Sequence, residues 1–155
     1  MSLELLFGVA TIVPCAARID LGATTRYALL DRGSYEYAPA IVPTEVIDLA
    51  SEATRRTLAV REARLLVLRA GDYLLARHDR LHEDNPVEVT LDLSPRAVPG
   101  AEVHYRRRGK PFFRVPSAPG SLAIVERGPT ITCNHTYVSR LSPEALVIRL
   151  VAILR

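Results

Sequence analysis

From residue 64 to the C-terminus, the sequence is a succession of short apolar runs separated by turn residues. The runs occupy residues 65–68, 73–76, 87–93, 101–105, 111–115, 121–125, 130–133 and 145–154. Short runs at such close spacing are typical of an all-β sandwich or barrel. The run at 87–93 alternates strictly between apolar and polar residues, which predicts one buried face and one solvated face. Arg108 and Gly109 are predicted to form the tip of a hairpin.

One segment before these runs has the pattern of an amphipathic helix. Thr44 is the predicted N-cap, and Glu45 follows in the first turn, where negative charge suits the helix dipole. Val46 and Ala50 fall on the same apolar face at helical spacing. We therefore predict a helix over about 44–60 that covers one face of a sheet.

The length and composition of the sequence favour a single globular domain. The 155 residues are enough for one core, and the barrel is expected over about 64–155. A formal net charge of +3 does not establish nucleic-acid binding, and the basic run at 106–110 is predicted to be a solvated tip. No apolar stretch reaches the roughly 18 residues of a membrane helix. Cys15 and Cys133 have neither disulfide-framework nor zinc-site spacing, so a reducing cytoplasm is the expected compartment.

Two residues near the C-terminus have side chains that are unusual for their surroundings. Arg149 is the one charge in a run that is apolar on both faces, and a buried guanidinium needs a partner. That partner is either an internal acid or the carboxylate of a ligand. Alternation places His135 on an apolar face with Ile131 and Cys133. His135 is therefore predicted to point inward, as a hydrogen-bonded core residue or as a metal ligand.

A third group of polar residues follows the run at 73–76. It includes His78, Asp79, His82 and Asp84 within a few positions. Two histidines and one carboxylate form the facial triad of non-haem iron oxygenases. The cluster is either part of such a site or a solvated loop.

The order of these pieces resembles the 2-oxoglutarate and iron(II)-dependent oxygenase superfamily. A covering helix is followed by a turn at Gly71 and by His78 and Asp79, where the family has its His-x-Asp motif. His135 is similar to the family's distal histidine. Arg149, fourteen residues further on, is similar to the arginine that binds 2-oxoglutarate.

This resemblance implies a mainly β fold, a double-stranded β-helix (jelly-roll) barrel with one or two covering helices. It also implies Fe(II) held by His78, Asp79 and His135, with 2-oxoglutarate bound by Arg149. Tyr73 and Tyr137 are expected either to donate hydrogen bonds near this cosubstrate or to be core rings with satisfied hydroxyls. The implied activity is a hydroxylase-type oxidation of a small-molecule or peptide substrate, with no catalytic residue beyond the metal ligands.

Three alternatives stay open at this point. His78 and Asp79 are adjacent rather than separated by one residue, so His82 and Asp84 form a substitute ligand pair. The barrel could also have lost iron altogether and act as a non-catalytic binding module. A homodimer that completes the pocket is a third option.

Overall fold

The computed structural model describes residues 2–5, 8–29, 33–76 and 79–155. Within these ranges the chain forms one α-helix and twelve β-strands. The elements are β1 (Ser2–Leu5), β2 (Gly8–Pro14), β3 (Thr25–Leu29), β4 (Gly33–Pro39), α1 (Thr44–Thr54), β5 (Val60–Arg69), β6 (Tyr73–Leu74), β7 (Val87–Asp92), β8 (Val103–Arg107), β9 (Lys110–Val115), β10 (Ser121–Glu126), β11 (Ile131–His135) and β12 (Leu146–Leu154).

The twelve strands form one continuous antiparallel sheet with the order β1-β2-β10-β7-β12-β5-β4-β6-β11-β8-β9, and β3 pairs with β4. We call its β1-β2-β10-β7-β12-β5 part the main sheet and its β6-β11-β8-β9 part the second sheet. Strand β4 pairs with β5 through residues 36–39 and with β6 through residues 33–34, so it joins the two sheets. The result is a nearly closed barrel with the predicted jelly-roll arrangement.

The main sheet has one apolar face and one face that points into the barrel. Leu65, Val89 and Leu150 lie on the apolar face and pack with Val46 and Ala50 of α1. Because side chains alternate along a strand, their neighbours in sequence face the interior. The prediction that the helix covers a sheet is confirmed.

Helix α1 is shorter than predicted. It begins at Thr44 and ends at Thr54 rather than near residue 60. The prediction that Thr44 is the N-cap was wrong, because Pro43 occupies that position and makes no side-chain capping bond. Arg55 adopts a left-handed conformation with φ 55°, which stops the helix and turns the chain toward β5. No helix in the described ranges is long and apolar enough to cross a membrane.

Strand β7 differs from its prediction in an informative way. All six of its residues are buried, including Glu88, Thr90 and Asp92 on the face predicted to be solvated. That prediction was wrong because the barrel closes over the polar face. The polar residues of β7 are therefore part of the barrel interior.

The hairpin between β8 and β9 is confirmed. Arg108 and Gly109 at its tip have φ values of 52° and 78°. Two consecutive left-handed residues form the tight turn that suits the twist of paired antiparallel strands.

Burial in the layer between α1 and the main sheet predicts that substitutions of two leucines have very different effects on the free energy of unfolding. Leu122 is 0% exposed in this layer, whereas Leu141 is 93% exposed. Leu122→Ala is expected to lower the free energy of unfolding by about 2–5 kcal/mol, because it leaves a cavity. Leu141→Ala should change it by no more than about 0.5 kcal/mol. Urea denaturation measures both, and similar midpoints for the two variants would contradict this account of the core.

Candidate functional site

A cavity of about 440 Å³ lies inside the barrel and is lined by strands of both sheets. It reaches solvent, because Glu62, Arg64 and Arg80 in its lining are exposed. The remaining lining residues are Tyr35, Tyr37, Ala63, Leu74, Leu75, Asp79, His82, Glu88, Arg127, Cys133, His135, Val151 and Ile153. A concave site with a few convergent polar groups is where a small ligand binds in most proteins.

His135 and Arg149 are brought into direct contact at the inner part of the barrel. Both are buried, and Arg149 Nη1 donates to His135 Nδ1 at 2.9 Å. Arg149 Nη2 donates to the carbonyl oxygen of Ala101 at 2.8 Å. The expectation of an internal acidic partner for Arg149 is therefore not met within the described residues, because its guanidinium donates to two neutral acceptors. Its pairing with the carboxylate of a ligand stays a prediction. Asp92 contributes charge but makes no ion pair with it.

This contact fixes the protonation of the imidazole. A guanidinium has only donors, so Nδ1 of His135 must be the acceptor. Burial lowers the pKa of His135 well below its usual range, and the positive charges of Arg149 and Arg64 lower it further. The neutral ring then carries its proton on Nε2.

Asp79 lies in the loop after β6, and its carboxylate accepts hydrogen bonds from two other groups. Its carboxylate accepts from Arg127 Nη2 and, at 2.6 Å, from the backbone N–H of Cys133. Burial raises the pKa of Asp79, the guanidinium of Arg127 opposes this, and the carboxylate of Glu88 adds to it.

Arg127 and Glu88 complete this cluster, and the sequence did not single out either residue. Arg127 is 1% exposed and donates to Glu88 Oε2 at 2.9 Å. Glu88 also accepts from the hydroxyl of Tyr105 at 2.6 Å. Burial opposes the charged form of Glu88, but Arg127 and Tyr105 outweigh it and the pKa of Glu88 is lowered. Glu88 belongs to the face of β7 predicted to be solvated, and Arg127 lies between two apolar runs, so no sequence signal marked the pair.

The other predicted residues are dispersed. His78 lies outside the described residues. His82 is buried in the cavity lining, but Asp84 is exposed and forms an ion pair with Arg155 at 2.8 Å, so this substitute pair does not converge. Tyr73 and Tyr137 pack on each other with ring centroids 6.3 Å apart, away from the cavity lining. Leu74 lines the cavity instead of Tyr73, because neighbours in a strand point to opposite faces.

The described side chains do not fit Fe(II) in this arrangement. A histidine ligand must offer a lone pair, yet Nε2 of His135 carries a proton and Nδ1 is bonded to Arg149. The carboxylate of Asp79 is bonded to a guanidinium. In the described part of the chain, no three His, Cys, Asp or Glu side chains are grouped so that they could hold a metal ion.

Arg64 also lines the cavity, but it forms no ion pair within the described residues. Three carboxylates line the cavity, and each is in an ion pair: Glu62 with Arg80, and Asp79 and Glu88 with Arg127. Arg64 makes no side-chain hydrogen bond or ion pair within the described ranges, although its charge acts on Glu88 and His135. Its guanidinium is therefore available to a ligand.

The bond from Arg149 predicts the tautomer of His135. Long-range ¹H–¹⁵N correlation spectra at neutral pH should show a neutral ring protonated at Nε2, and its lowered pKa should keep it neutral below the usual histidine value of about 6.5. Arg149→Met removes the donor and should admit the Nδ1-protonated form, whereas Arg96→Met at an exposed position should leave the signals unchanged. An Nδ1-protonated ring in the unaltered protein would contradict the prediction and free Nε2 for a metal.

Comparison with known proteins finds similarity in structure but not in sequence. No protein-family model matches the sequence, and no curated protein matches it. An oxidoreductase of the 2OG-Fe(II) oxygenase family from Burkholderia pseudomallei superposes with a TM-score of 0.61 at 10% identity, over 85% of this chain and 72% of that one. A Pseudomonas putida prolyl-4-hydroxylase gives a TM-score of 0.57 at 12% identity, over 80% of this chain and 73% of that one. The chain therefore shares the double-stranded β-helix fold of 2OG-Fe(II) oxygenase structures, as the resemblance of its sequence to that superfamily implied.

Proposed function

We propose that this protein binds a small organic anion in the barrel cavity without the help of a metal ion. The observation that carries the proposal is the guanidinium of Arg64, which has no hydrogen-bond or ion-pair partner among the described residues, in a cavity whose described carboxylates are all engaged by other arginines. Arginine suits this task because its fork of donors matches a carboxylate or phosphate.

A second donor supports an anionic ligand. His135 also lines the cavity, and its bond from Arg149 leaves an N–H at Nε2. The low pKa of His135 keeps the ring neutral, so it offers a hydrogen bond without adding a charge. A ligand held by both residues would place its negative group at Arg64 and a polar atom at His135.

The aromatic part of the cavity wall supports an organic ligand rather than an inorganic ion. Tyr35 and Tyr37 of β4 line the cavity, and Tyr27 of β3 packs on both of them, with ring centroids 5.6 and 5.3 Å away. Val151 and Ile153 of β12 add apolar surface. Such a wall favours a ligand with a carbon skeleton that can be buried.

Removal of the Arg64 guanidinium should weaken anion binding. Calorimetric titration in EDTA with 2-oxoglutarate, succinate and benzoate is expected to show binding of at least one of them. Arg64→Ala should weaken that binding about tenfold to a hundredfold, the range for a lost charge-assisted hydrogen bond. Arg96→Ala, at an exposed position outside the cavity lining, is the matched control and should bind as the unaltered protein does. Equal affinities for the two variants would contradict the proposal.

The second candidate is an iron(II) and 2-oxoglutarate-dependent dioxygenase. The shared fold supports it, and so does the presence of Asp79 and His135 in one cavity. Under this candidate His78, Asp79 and His135 would hold Fe(II), which supplies oxygen activation when bound, and Arg149 would anchor 2-oxoglutarate. It requires that Arg127 release Asp79 and that Arg149 release His135.

One experiment separates the two candidates. The protein is loaded with Fe(II) under anaerobic conditions, given 2-oxoglutarate and air, and assayed for succinate. Succinate formation that disappears in His135→Ala, while the thermal transition is retained, favours the dioxygenase. Ligand binding that is the same with EDTA and with Fe(II), without succinate, favours metal-independent binding.

A further inference from the structure

The neighbours of Arg64 in the sheet define what kind of anion its guanidinium can hold. Arg64 on β5 lies directly opposite Val151 on β12. On the other side of β5, Tyr37 is paired with Leu66, two residues from Arg64, and is therefore a diagonal neighbour of Arg64. Diagonal neighbours in a sheet are about 7–8 Å apart, within reach of aromatic and long side chains. A ligand bound at Arg64 thus has an aliphatic side chain on one side and an aromatic side chain on the other.

The aromatic side of this site is a wall of packed tyrosine rings. Tyr35 and Tyr37 follow each other on one face of β4, and both line the cavity. Tyr27 on β3 contacts both rings, with centroids 5.6 Å from Tyr35 and 5.3 Å from Tyr37. The rings hold one another in place, so the wall is formed before a ligand binds. Because aromatic rings pack favourably at centroid distances of about 4.5–7 Å, this wall suits a further ring from a ligand.

Among the described residues of the cavity lining, Arg64 is the one guanidinium that is not bonded to a carboxylate. Arg80 is bonded to Glu62, and Arg127 is bonded to two further carboxylates. Arg149 lies outside the lining, and its donors are bonded to neutral acceptors. A second negative group on a ligand would lose its water without gaining a cationic partner, which is costly. The site is therefore suited to one negative group and not to two.

We propose that the ligand of this cavity is an aromatic monocarboxylate, with its carboxylate bound by Arg64 and its ring packed between Tyr37 and Val151. This ligand class rests on the proposed function, anion binding at Arg64, and narrows it. The donor fork of one arginine matches one carboxylate, and the tyrosine wall matches a planar ring. Dicarboxylates such as succinate and 2-oxoglutarate fit less well, because they bring a second charge and no ring.

Calorimetric titration of the unaltered protein with four carboxylates, in EDTA at neutral pH, separates the two features of this ligand class. Benzoate is expected to bind at least about tenfold more tightly than succinate or 2-oxoglutarate, because their second carboxylate would be buried without a partner. Cyclohexanecarboxylate has one carboxylate and a similar size, but its ring is not aromatic. Benzoate is expected to bind about twofold to tenfold more tightly than cyclohexanecarboxylate, the range for a contact between aromatic rings.

Three variants assign the preference for an aromatic ring to the tyrosine wall. Tyr37→Leu removes the ring but keeps an apolar side chain, and it should abolish the preference for benzoate over cyclohexanecarboxylate. Tyr37→Phe restores the ring and should retain the preference. Phe112→Leu removes a ring outside the cavity lining and should retain it as well. The measured quantity is a ratio of two affinities for the same variant, so a loss of folded protein that affects both ligands equally does not alter it.

The outcomes distinguish this ligand class from the proposed function. The class is overturned if succinate or 2-oxoglutarate binds as tightly as benzoate, or if Tyr37→Leu keeps the preference for benzoate. Anion binding would survive either result as long as Arg64→Ala weakens it. If none of the four carboxylates binds, the proposed function fails together with the ligand class.

Discussion

The ion pairs of Arg127 with Asp79 and Glu88 are the interaction on which this barrel interior depends. They join residues that lie 48 and 39 positions apart in the sequence. Two carboxylates on inward-facing segments would be destabilising without a cation, and the loss of one partner of a buried pair costs about 3–5 kcal/mol. The polar faces of β7 and β11 can point inward only because charges there are compensated within the chain.

The same principle explains the inner part of the barrel. The guanidinium of Arg149 donates hydrogen bonds to the neutral ring of His135 and to a carbonyl oxygen instead of to carboxylates. The negative charge of Asp92 acts on it without forming an ion pair. The two arginines therefore divide the interior into a cluster that contains carboxylates and a cluster of neutral acceptors. Arg64 on β5 belongs to neither cluster and makes no side-chain hydrogen bond within the described residues, so its donors are available to a ligand.

Local patterns predicted the elements of the fold but not the pairing of charges. The hairpin at Arg108 and Gly109 and the start of α1 at Thr44 follow from nearby residues, and the structure has both. The end of α1 depends on the left-handed backbone conformation of Arg55. Any residue type can adopt this conformation at some energetic cost, so the residue type does not predict it. The inward direction of Glu88 depends on the closure of the second sheet, which alternation within one strand cannot reveal.

The candidate site was predicted in part for the same reason. Alternation placed His135 inside, and its position in the cavity lining agrees with that. Its bond to Arg149 depends on β11 and β12 facing each other across the barrel from separate parts of the sheet, which no spacing along the chain encodes. The role of Arg127 was not predicted, because a charged residue between two apolar runs gives no sign that it is buried.

The separation of the two faces of the main sheet also bears on how this scaffold can change. Residues such as Leu150 and Leu65 hold α1, while Val151 and Arg64, next to them in sequence, line the cavity. Substitution at the cavity positions leaves the helix-facing layer intact. A lineage of such barrels could thus exchange one ligand for another by a few replacements at alternate positions, while its stability is maintained by residues the ligand never touches.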